Sequence, residues 1–167
     1  MDVMMKGKQL ATNSTVPNKG DQAPDFSLKD LNDQTVTLSE HKGEVVLIST
    51  FPDINTSTCS RQTARFNDMA SSLDSTRILS ISTNTVEEQK EWCAAKQIDM
   101  DLLHDSDRSF SKAYGLYIEE LDKTARAVFV LNRSGQIVYR EVVKEMSEDP
   151  NYEEAIAAAR HEEAELS

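Results

Sequence analysis

Cys59 and Cys93 are the side chains of this sequence best suited to covalent chemistry. Two cysteines are too few for a disulfide scaffold, and a chain of 167 residues does not need one. In a reducing compartment such a pair more often serves redox or metal chemistry than a permanent cross-link. Cys93 lies 34 positions after Cys59, which excludes a Cys-x-x-Cys motif and argues against a thioredoxin-type disulfide reductase.

Cys59 falls between a predicted buried strand, which Pro52 ends, and a predicted helix. The first N–H groups of a helix have no partners within it and carry partial positive charge, so they stabilise a thiolate. Thr56 lies three residues upstream, where its hydroxyl can donate to the sulfur or to an oxygen bound beside it. On position alone, Cys59 fits a reactive cysteine and a plain buried cysteine equally well.

The elements that must position these residues alternate between strands and helices. Strands are predicted over 34–38, 44–51, 78–83 and 101–104 and, as a hairpin around the polar turn 132–135, over 125–131 and 136–143. Helices are predicted over 61–73, 86–96, 109–114 and after Pro150, the last one burying Tyr152, Ala155, Ile156 and Ala159. Residues 1–22 fit a peripheral hairpin or arm, and 29–33 a polar turn. This order predicts one α/β domain over 1–167, with helices flanking a mixed sheet.

The composition excludes several classes of partner. Eighteen basic and 29 acidic residues give a net charge of −11, which argues against binding to nucleic acid or to an anionic membrane. The five glycines lie at least thirteen positions apart, so no phosphate-binding loop can form and no cofactor is expected. The histidines at 41, 104 and 161 have no paired spacing with one another or with the cysteines, so no metal site is expected.

The distribution of charge and hydropathy bears on location and surface. No segment has the apolar length of a secretory signal or a membrane span, and a cytoplasmic location is therefore expected. The acidic excess is concentrated in 141–167, which holds nine acidic and two basic residues. We interpret this segment as the solvated face of a terminal helix, with an acidic docking surface as the alternative.

The segment around Cys59 resembles the active-site sequence of the peroxiredoxins. Pro52-Asp-Ile-Asn-Thr56-Ser-Thr-Cys59 has that family's spacing of proline, threonine and cysteine, and is most similar to the thiol peroxidase branch of the atypical two-cysteine peroxiredoxins. Other segments are similar to further signatures of the branch, in the same order along the chain: Gly20-Asp-Gln-Ala-Pro-Asp-Phe26, Thr63-Ala-Arg-Phe-Asn67, Ala113-Tyr-Gly115, Ala125-Arg-Ala-Val-Phe129 and Pro150-Asn-Tyr-Glu-Glu-Ala155. The resemblance therefore extends over nearly the whole chain.

This resemblance implies a thioredoxin-like fold, a homodimer, and reduction of hydrogen peroxide or organic hydroperoxides with electrons from thioredoxin. It makes Cys59 the peroxidatic cysteine and Cys93 the resolving cysteine of an intramolecular disulfide, with Thr56 and Pro52 lining the pocket and Arg126 supplying a cation. A guanidinium suits that role because it stays charged and presents its N–H groups in a rigid fork. Without the resemblance, Arg126 would be interpreted as a surface arginine at the start of a strand.

Three residues depart from the pattern of the branch. Asn55 and Ser57 stand where aspartate and proline are usual, and Ala94 stands where a glycine commonly follows the resolving cysteine. None of the roles above needs the missing proline or aspartate. Two other functions remain open at this point. One is a redox-signalling protein that uses the same disulfide to change the binding of a partner, and the other is an inactive thioredoxin-fold interaction module.

Overall fold

The computed structural model describes residues 2–96 and 102–165, which form eleven strands and four α helices. The strands are β1 (Asp2–Met5), β2 (Lys8–Ala11), β3 (Ser27–Asp30), β4 (Thr35–Thr37), β5 (Val46–Phe51), β6 (Arg77–Ser82), β7 (Leu102–His104), β8 (Tyr117–Ile118), β9 (Lys123–Thr124), β10 (Ala127–Leu131) and β11 (Ile137–Val142). The helices are α1 (Ser57–Met69), α2 (Val86–Lys96), α3 (Ser109–Ala113) and α4 (Tyr152–Ala164).

Seven strands form one mixed sheet in the order β11-β10-β5-β6-β7-β3-β4. β5 runs parallel to β6 on one side and antiparallel to β10 on the other, so it is an interior strand of the sheet. Its successive residues point into two different apolar clusters, with Val46 and Ile48 in one and Leu47 in the other. The first cluster includes Phe110 of α3 and the second includes Phe66 of α1, so helices cover both faces of the sheet. The predicted α/β architecture with a mixed central sheet is confirmed.

The central strand β5 is buried along its whole length, as its near-continuous run of apolar and β-branched residues predicts. It ends immediately before Pro52, whose ring cannot donate to a sheet ladder. The chain then turns through residues 53–56 and enters α1. The loop and the amino terminus of α1 therefore lie at one end of the sheet, next to the carboxyl end of β5.

Several predicted boundaries differ in the structure, by one to four residues. α1 begins at Ser57, four residues before the predicted start, because the hydroxyl of Thr56 caps it. The predicted turn over 29–33 is partly strand, since β3 continues to Asp30 and pairs with both β4 and β7. β3 was missed because its side chains are mostly polar and exposed, with Leu28 alone fully buried.

The other elements largely follow the sequence. α2 spans the predicted residues and opens with a capping box, in which Thr85 and Glu88 exchange side-chain and backbone hydrogen bonds. The buried face of α4 consists of the four residues predicted for it. β1 and β2 form the expected amino-terminal hairpin, whereas the two-residue strands β8 and β9 are too short to leave a periodic pattern. The predicted strand over 101–104 is present from Leu102, and Asp101 lies outside the described residues.

Among the residues that the structure describes, no helix is long and apolar enough to cross a membrane.

Candidate active site

Cys59 lies in the first turn of α1 and is fully buried. Its side chain belongs to a small apolar cluster, which we call the Cys59 cluster and which consists of Phe51, Ile54, Cys59, Trp92 and Leu102. The sulfur is therefore held at the amino end of a helix and shielded by hydrophobic side chains. The partial positive charge of the helix terminus attracts a thiolate. Because little water competes at this buried position, that attraction is stronger than it would be at the surface.

Thr56 is the N-cap of α1. Its hydroxyl oxygen accepts a hydrogen bond from the backbone N–H of Cys59 at 3.4 Å, and the hydroxyl donates to the carbonyl of Asp53 at 2.9 Å. These two bonds fix the turn that presents Cys59. Because the hydroxyl proton is directed to Asp53, donation from Thr56 to the sulfur stays a prediction.

The loop before α1 is held by side chains that the sequence analysis did not single out. Asn84, which follows β6, accepts from the N–H of Ile54 at 2.7 Å and donates to the carboxylate of Asp53 at 3.0 Å. Lys123, from β9, donates to the other oxygen of the same carboxylate at 3.1 Å. Pro52 adds a further tie, because its carbonyl accepts from the hydroxyl of Thr83. The backbone of the loop is thus fixed from two neighbouring elements.

The carboxyl group of Asp53 titrates below its ordinary range. Its partial burial alone would raise its pKa, but hydrogen bonds from Asn84, from the N–H of Asn55 and from Lys123, together with the charge of Lys123, lower it. Asp53 is therefore an anion around neutral pH. This charge keeps the tie between Lys123 and the active-site loop intact.

Arg126 is buried, with 2% of its surface exposed, and stands directly before β10. Its Nε donates to the carbonyl of Met146 at 2.9 Å, and its Nη1 donates to the side-chain oxygen of Gln62 at 2.8 Å. Nη2 makes no hydrogen bond to any residue in the described part of the chain. The surface location expected without the family resemblance is thus wrong, and the guanidinium is fixed at one end of the sheet with one nitrogen unengaged by protein.

Gln62 links Arg126 to the helix of Cys59. It lies three residues after Cys59 on α1, which places the two side chains on neighbouring positions of one helix surface. Its amide nitrogen donates to the hydroxyl of Ser49 at 2.7 Å and to the carbonyl of Thr50 at 3.1 Å, both on β5.

The structure thus brings Cys59, Thr56 and Arg126 to the same end of β5. Gln62 was missed by sequence reasoning, although its spacing from Cys59 was a usable signal.

Cys93 lies near the carboxyl end of α2 and is partly buried. It packs against the Cys59 cluster from outside, as does Leu31 of the turn between β3 and β4. Cys59 and Cys93 are both thiols in this structure. The two cysteines therefore border one apolar cluster, although each is held within its own helix.

In the described part of the chain, no group of three or more histidine, cysteine or acidic residues is arranged to hold a metal ion. The chemistry available at this site is that of a buried thiol, a capping threonine and a fixed guanidinium.

Comparison with known proteins agrees with this arrangement. A family model described as the AhpC/TSA family matches residues 19–140. The chain belongs to this family.

A thiol peroxidase of Listeria monocytogenes is 45% identical to this AhpC/TSA chain over 160 residues, which cover 95% of this chain and 97% of the relative. A thiol peroxidase of Bacillus subtilis is 40% identical over 161 residues, covering 95% and 96%. The resemblance to the thiol peroxidase branch is thereby confirmed, and with it the expectation that this AhpC/TSA chain is a peroxidase.

Solved structures confirm the fold of the AhpC/TSA chain. A peroxiredoxin-like protein from Aquifex aeolicus matches with a TM-score of 0.90 at 26% identity, covering 96% of both chains. A thiol peroxidase from Chromobacterium violaceum matches with a TM-score of 0.84 at 21% identity, covering 98% of both chains. The thioredoxin-like peroxiredoxin fold expected from the sequence is therefore present.

Proposed function

We propose that this AhpC/TSA protein reduces hydroperoxides through a disulfide cycle between Cys59 and Cys93. The observation that carries the proposal is that both cysteines border the Cys59 cluster, with Cys59 in the first turn of one helix and Cys93 near the end of another. A thiol in the first turn of a helix is a suitable nucleophile, and a second thiol beside the same cluster is a suitable resolving group.

In the first step, the thiolate of Cys59 attacks one oxygen of the hydroperoxide and the O–O bond breaks. The other oxygen leaves with the electron pair and takes up a proton, giving water or an alcohol, and Cys59 becomes a sulfenic acid. Arg126 stabilises the charge that develops on the leaving oxygen, since its fixed guanidinium needs no reorganisation during the reaction. Thr56 and Pro52 shape the pocket by fixing the turn that leads into α1.

In the second step, the thiolate of Cys93 attacks the sulfur of the sulfenic acid. The S–O bond breaks, hydroxide leaves as water, and a disulfide joins Cys59 to Cys93. A disulfide needs Cα atoms within about 7 Å of each other, and Cys59 starts inside its cluster in the first turn of α1. We therefore propose that the first turn of α1, or the last turn of α2, unwinds before the disulfide forms.

A dithiol reductant of the thioredoxin type completes the cycle by reducing the disulfide. Its two thiols become a disulfide while Cys59 and Cys93 return to thiols. The choice of thioredoxin and the homodimer are proposals that follow from the family resemblance. The single domain over 1–167 and the cytoplasmic location are proposals that follow from the order of the predicted elements and from the lack of a long apolar segment in the sequence. Light scattering coupled to size-exclusion chromatography tests the dimer, since a monomeric mass would overturn it.

The cycle is tested by treating the reduced protein with one equivalent of peroxide and analysing it by mass spectrometry without reductant. We expect the mass of two hydrogens to be lost and a peptide pair linking Cys59 to Cys93 to appear. Cys93→Ser is the matched control, in which we expect a sulfenic acid on Cys59 that a dimedone probe traps. An unchanged mass in the wild-type protein would overturn the cycle.

Turnover requires a second measurement. With thioredoxin, its reductase and NADPH present, we expect continuous consumption of peroxide, and we expect Cys59→Ser to abolish it. Consumption that stops after one equivalent, with a Cys59–Cys93 disulfide that thioredoxin does not reduce, would overturn the proposed reductant and leave the disulfide chemistry in place.

A further inference from the structure

Asp53 and Lys123 form a partly buried ion pair beside the active-site loop. Their side chains expose 24% and 40% of their surfaces, and the ammonium of Lys123 lies 3.1 Å from the carboxylate. The pair lies just beyond the last residues that β5 and β10 pair with each other, which are Thr50 and Ala127. Pro52 has no N–H with which to continue that ladder. The ion pair therefore joins the two chains at the point where their strand pairing ends.

Asp53 connects this ion pair to the cap of α1. Its side chain binds Lys123, while its backbone carbonyl accepts from the hydroxyl of Thr56 at 2.9 Å and from the N–H of Thr56 at 3.1 Å. The hydroxyl of Thr56 accepts in turn from the N–H of Cys59. A displacement of Asp53 therefore disturbs the turn that presents the reacting sulfur, and the ion pair restrains that displacement.

The other groups that hold the Asp53 carboxylate are uncharged. They are the side-chain amide of Asn84 and the backbone N–H of Asn55, each at 3.0 Å. The side-chain amide of Asn55 also donates to the carboxylate of Glu88 on α2 at 3.2 Å. The aspartate that is usual at position 55 would place a further negative charge between Asp53 and Glu88. With asparagine there, the one carboxylate of the loop has Lys123 as its counter-ion.

We propose that Lys123 is a positioning residue, which holds Asp53 and so keeps the turn that caps α1 closed, limiting the rate at which Cys59 reaches Cys93. This proposal rests on the proposed disulfide cycle, and it assigns the unwinding to the first turn of α1. In the closed arrangement Cys59 is fully buried in its cluster. Weakening the ion pair multiplies the small unwound population and barely changes the dominant closed one. Disulfide formation is then faster, while the reaction of Cys59 with peroxide is unaltered.

The test measures two rates in Lys123→Met, Lys123→Arg, Asp53→Asn and the double variant Asp53→Asn/Lys123→Met. The first is the reaction of Cys59 with hydrogen peroxide, followed in a Cys93→Ser background as loss of the thiol that iodoacetamide alkylates. The second is the rate of disulfide formation in proteins that retain Cys93. It is followed by acid quenching and mass spectrometry at peroxide concentrations high enough that this rate no longer depends on them.

In Lys123→Met we expect disulfide formation to be faster by about two-fold to five-fold, as the loss of such an ion pair predicts. We expect the peroxide rate to stay at its wild-type value, whereas a general disturbance of the site would lower it. Lys123→Arg retains the charge and should have wild-type values of both rates. Asp53→Asn should also speed disulfide formation, and in that background Lys123→Met should have no further effect, because the two residues act as a pair.

Lys90→Met is the matched control. It also removes one positive charge, from an exposed position on α2 three residues before Cys93. We expect wild-type values of both rates in this variant. An acceleration of disulfide formation as large as that in Lys123→Met would overturn the proposal, because the effect would then be one of net charge.

The remaining outcomes are distinct. If the wild-type protein forms no disulfide, the proposed cycle is wrong and the role of Lys123 with it. If the wild-type protein forms the disulfide and Lys123→Met forms it at the same rate, the role of Lys123 is wrong and the cycle stands. An acceleration by Lys123→Met that persists fully in the Asp53→Asn background would also overturn the proposal. If Lys123→Met does not fold, Lys123→Gln decides by the same criteria.

Discussion

The indole N–H of Trp92 donates a hydrogen bond of 2.9 Å to the hydroxyl of Ser60. Each of these residues is the chain neighbour of a cysteine, since Ser60 follows Cys59 on α1 and Trp92 precedes Cys93 on α2. The bond therefore links the two helix ends that carry Cys59 and Cys93, one of which unwinds in the proposed formation of the disulfide. Trp92 also belongs to the Cys59 cluster, so that movement of either helix end changes its surroundings.

Oxidation is expected to change the fluorescence of Trp92, which is the single tryptophan of the chain. When the disulfide forms, the indole loses its bond to Ser60 and its packing around the Cys59 side chain. The measurement is the emission spectrum of the reduced protein and of the protein oxidised with one equivalent of peroxide. In Cys93→Ser we expect a smaller change, because the sulfenic acid forms without rearrangement of the helices. Identical spectra for the reduced and oxidised wild-type protein would contradict unwinding of either helix end.

Ser60→Ala is expected to speed the formation of the disulfide. The substitution removes the acceptor of the indole N–H and so destabilises the closed arrangement of the two helices, leaving Trp92 as the reporter. A hydrogen bond of this kind contributes about 0.5–1.5 kcal/mol, which corresponds to an increase of between about two-fold and about ten-fold in rate. Rapid mixing with peroxide measures it as the fluorescence phase that does not depend on peroxide concentration. Ser57→Ala changes an exposed serine of the same helical turn and should leave this rate unaltered.

Thr56→Val is expected to destabilise the protein and slow its reaction with peroxide. Valine is close to threonine in size but cannot cap α1, and the loss of an N-cap costs about 1 kcal/mol. The turn that presents Cys59 also loses the bond to the carbonyl of Asp53. Urea denaturation measures the free energy of unfolding, and peroxide kinetics measure the reaction of Cys59. Thr56→Ser keeps the hydroxyl and should retain most of both, whereas equal losses in the two variants would argue against a capping role.

The location of the site could be predicted from the sequence, because local signals fix it. The apolar run that forms β5, the stop at Pro52 and the hydroxyl-rich residues before Cys59 together predict a strand, a loop and a helix amino terminus. The start of α1 was predicted too late because the hydrophobic periodicity begins only inside the helix, whereas its first turn is set by the cap at Thr56.

The contacts that complete the site could not be predicted in this way. Gln62 and Arg126 are 64 positions apart and meet only because α1 packs on the sheet with its buried side toward the start of β10. The contact between Asp53 and Lys123 joins residues 70 positions apart through the short β8–β9 hairpin. Such pairings depend on how the elements pack on one another, and hydrophobic periodicity within each element carries no information about it.

Gly115→Ala is expected to cost about 3 kcal/mol of the free energy of unfolding, because two penalties combine. Gly115 ends α3 with a φ of +67°, which L residues rarely adopt, and a Cβ there would lie 2.3 Å from the carbonyl oxygen of Thr15. Gly43 is the matched control, since its φ is +96° and an added Cβ meets nothing within 4 Å. We expect Gly43→Ala to cost about 1 kcal/mol for the backbone conformation alone. If urea denaturation shows that the two variants lose equal amounts of unfolding free energy, the contact with Thr15 does not destabilise Gly115→Ala.

Asp53 is expected to make the stability of the protein depend on pH in the acid range. Its folded pKa lies below the ordinary value of 3.8, so its contribution is fully present above that value and is lost as the pH falls through the folded pKa. The measurement is the free energy of unfolding of the wild-type protein and of Asp53→Asn between neutral pH and about pH 3. We expect the wild-type protein to be the more stable at neutral pH and the difference to shrink below pH 3.8.

Asp105, whose pKa is raised by burial, contributes with the opposite sign but equally to both proteins, so the difference isolates Asp53. A difference that stays constant throughout this range would contradict the tie between Asp53, Asn84 and Lys123.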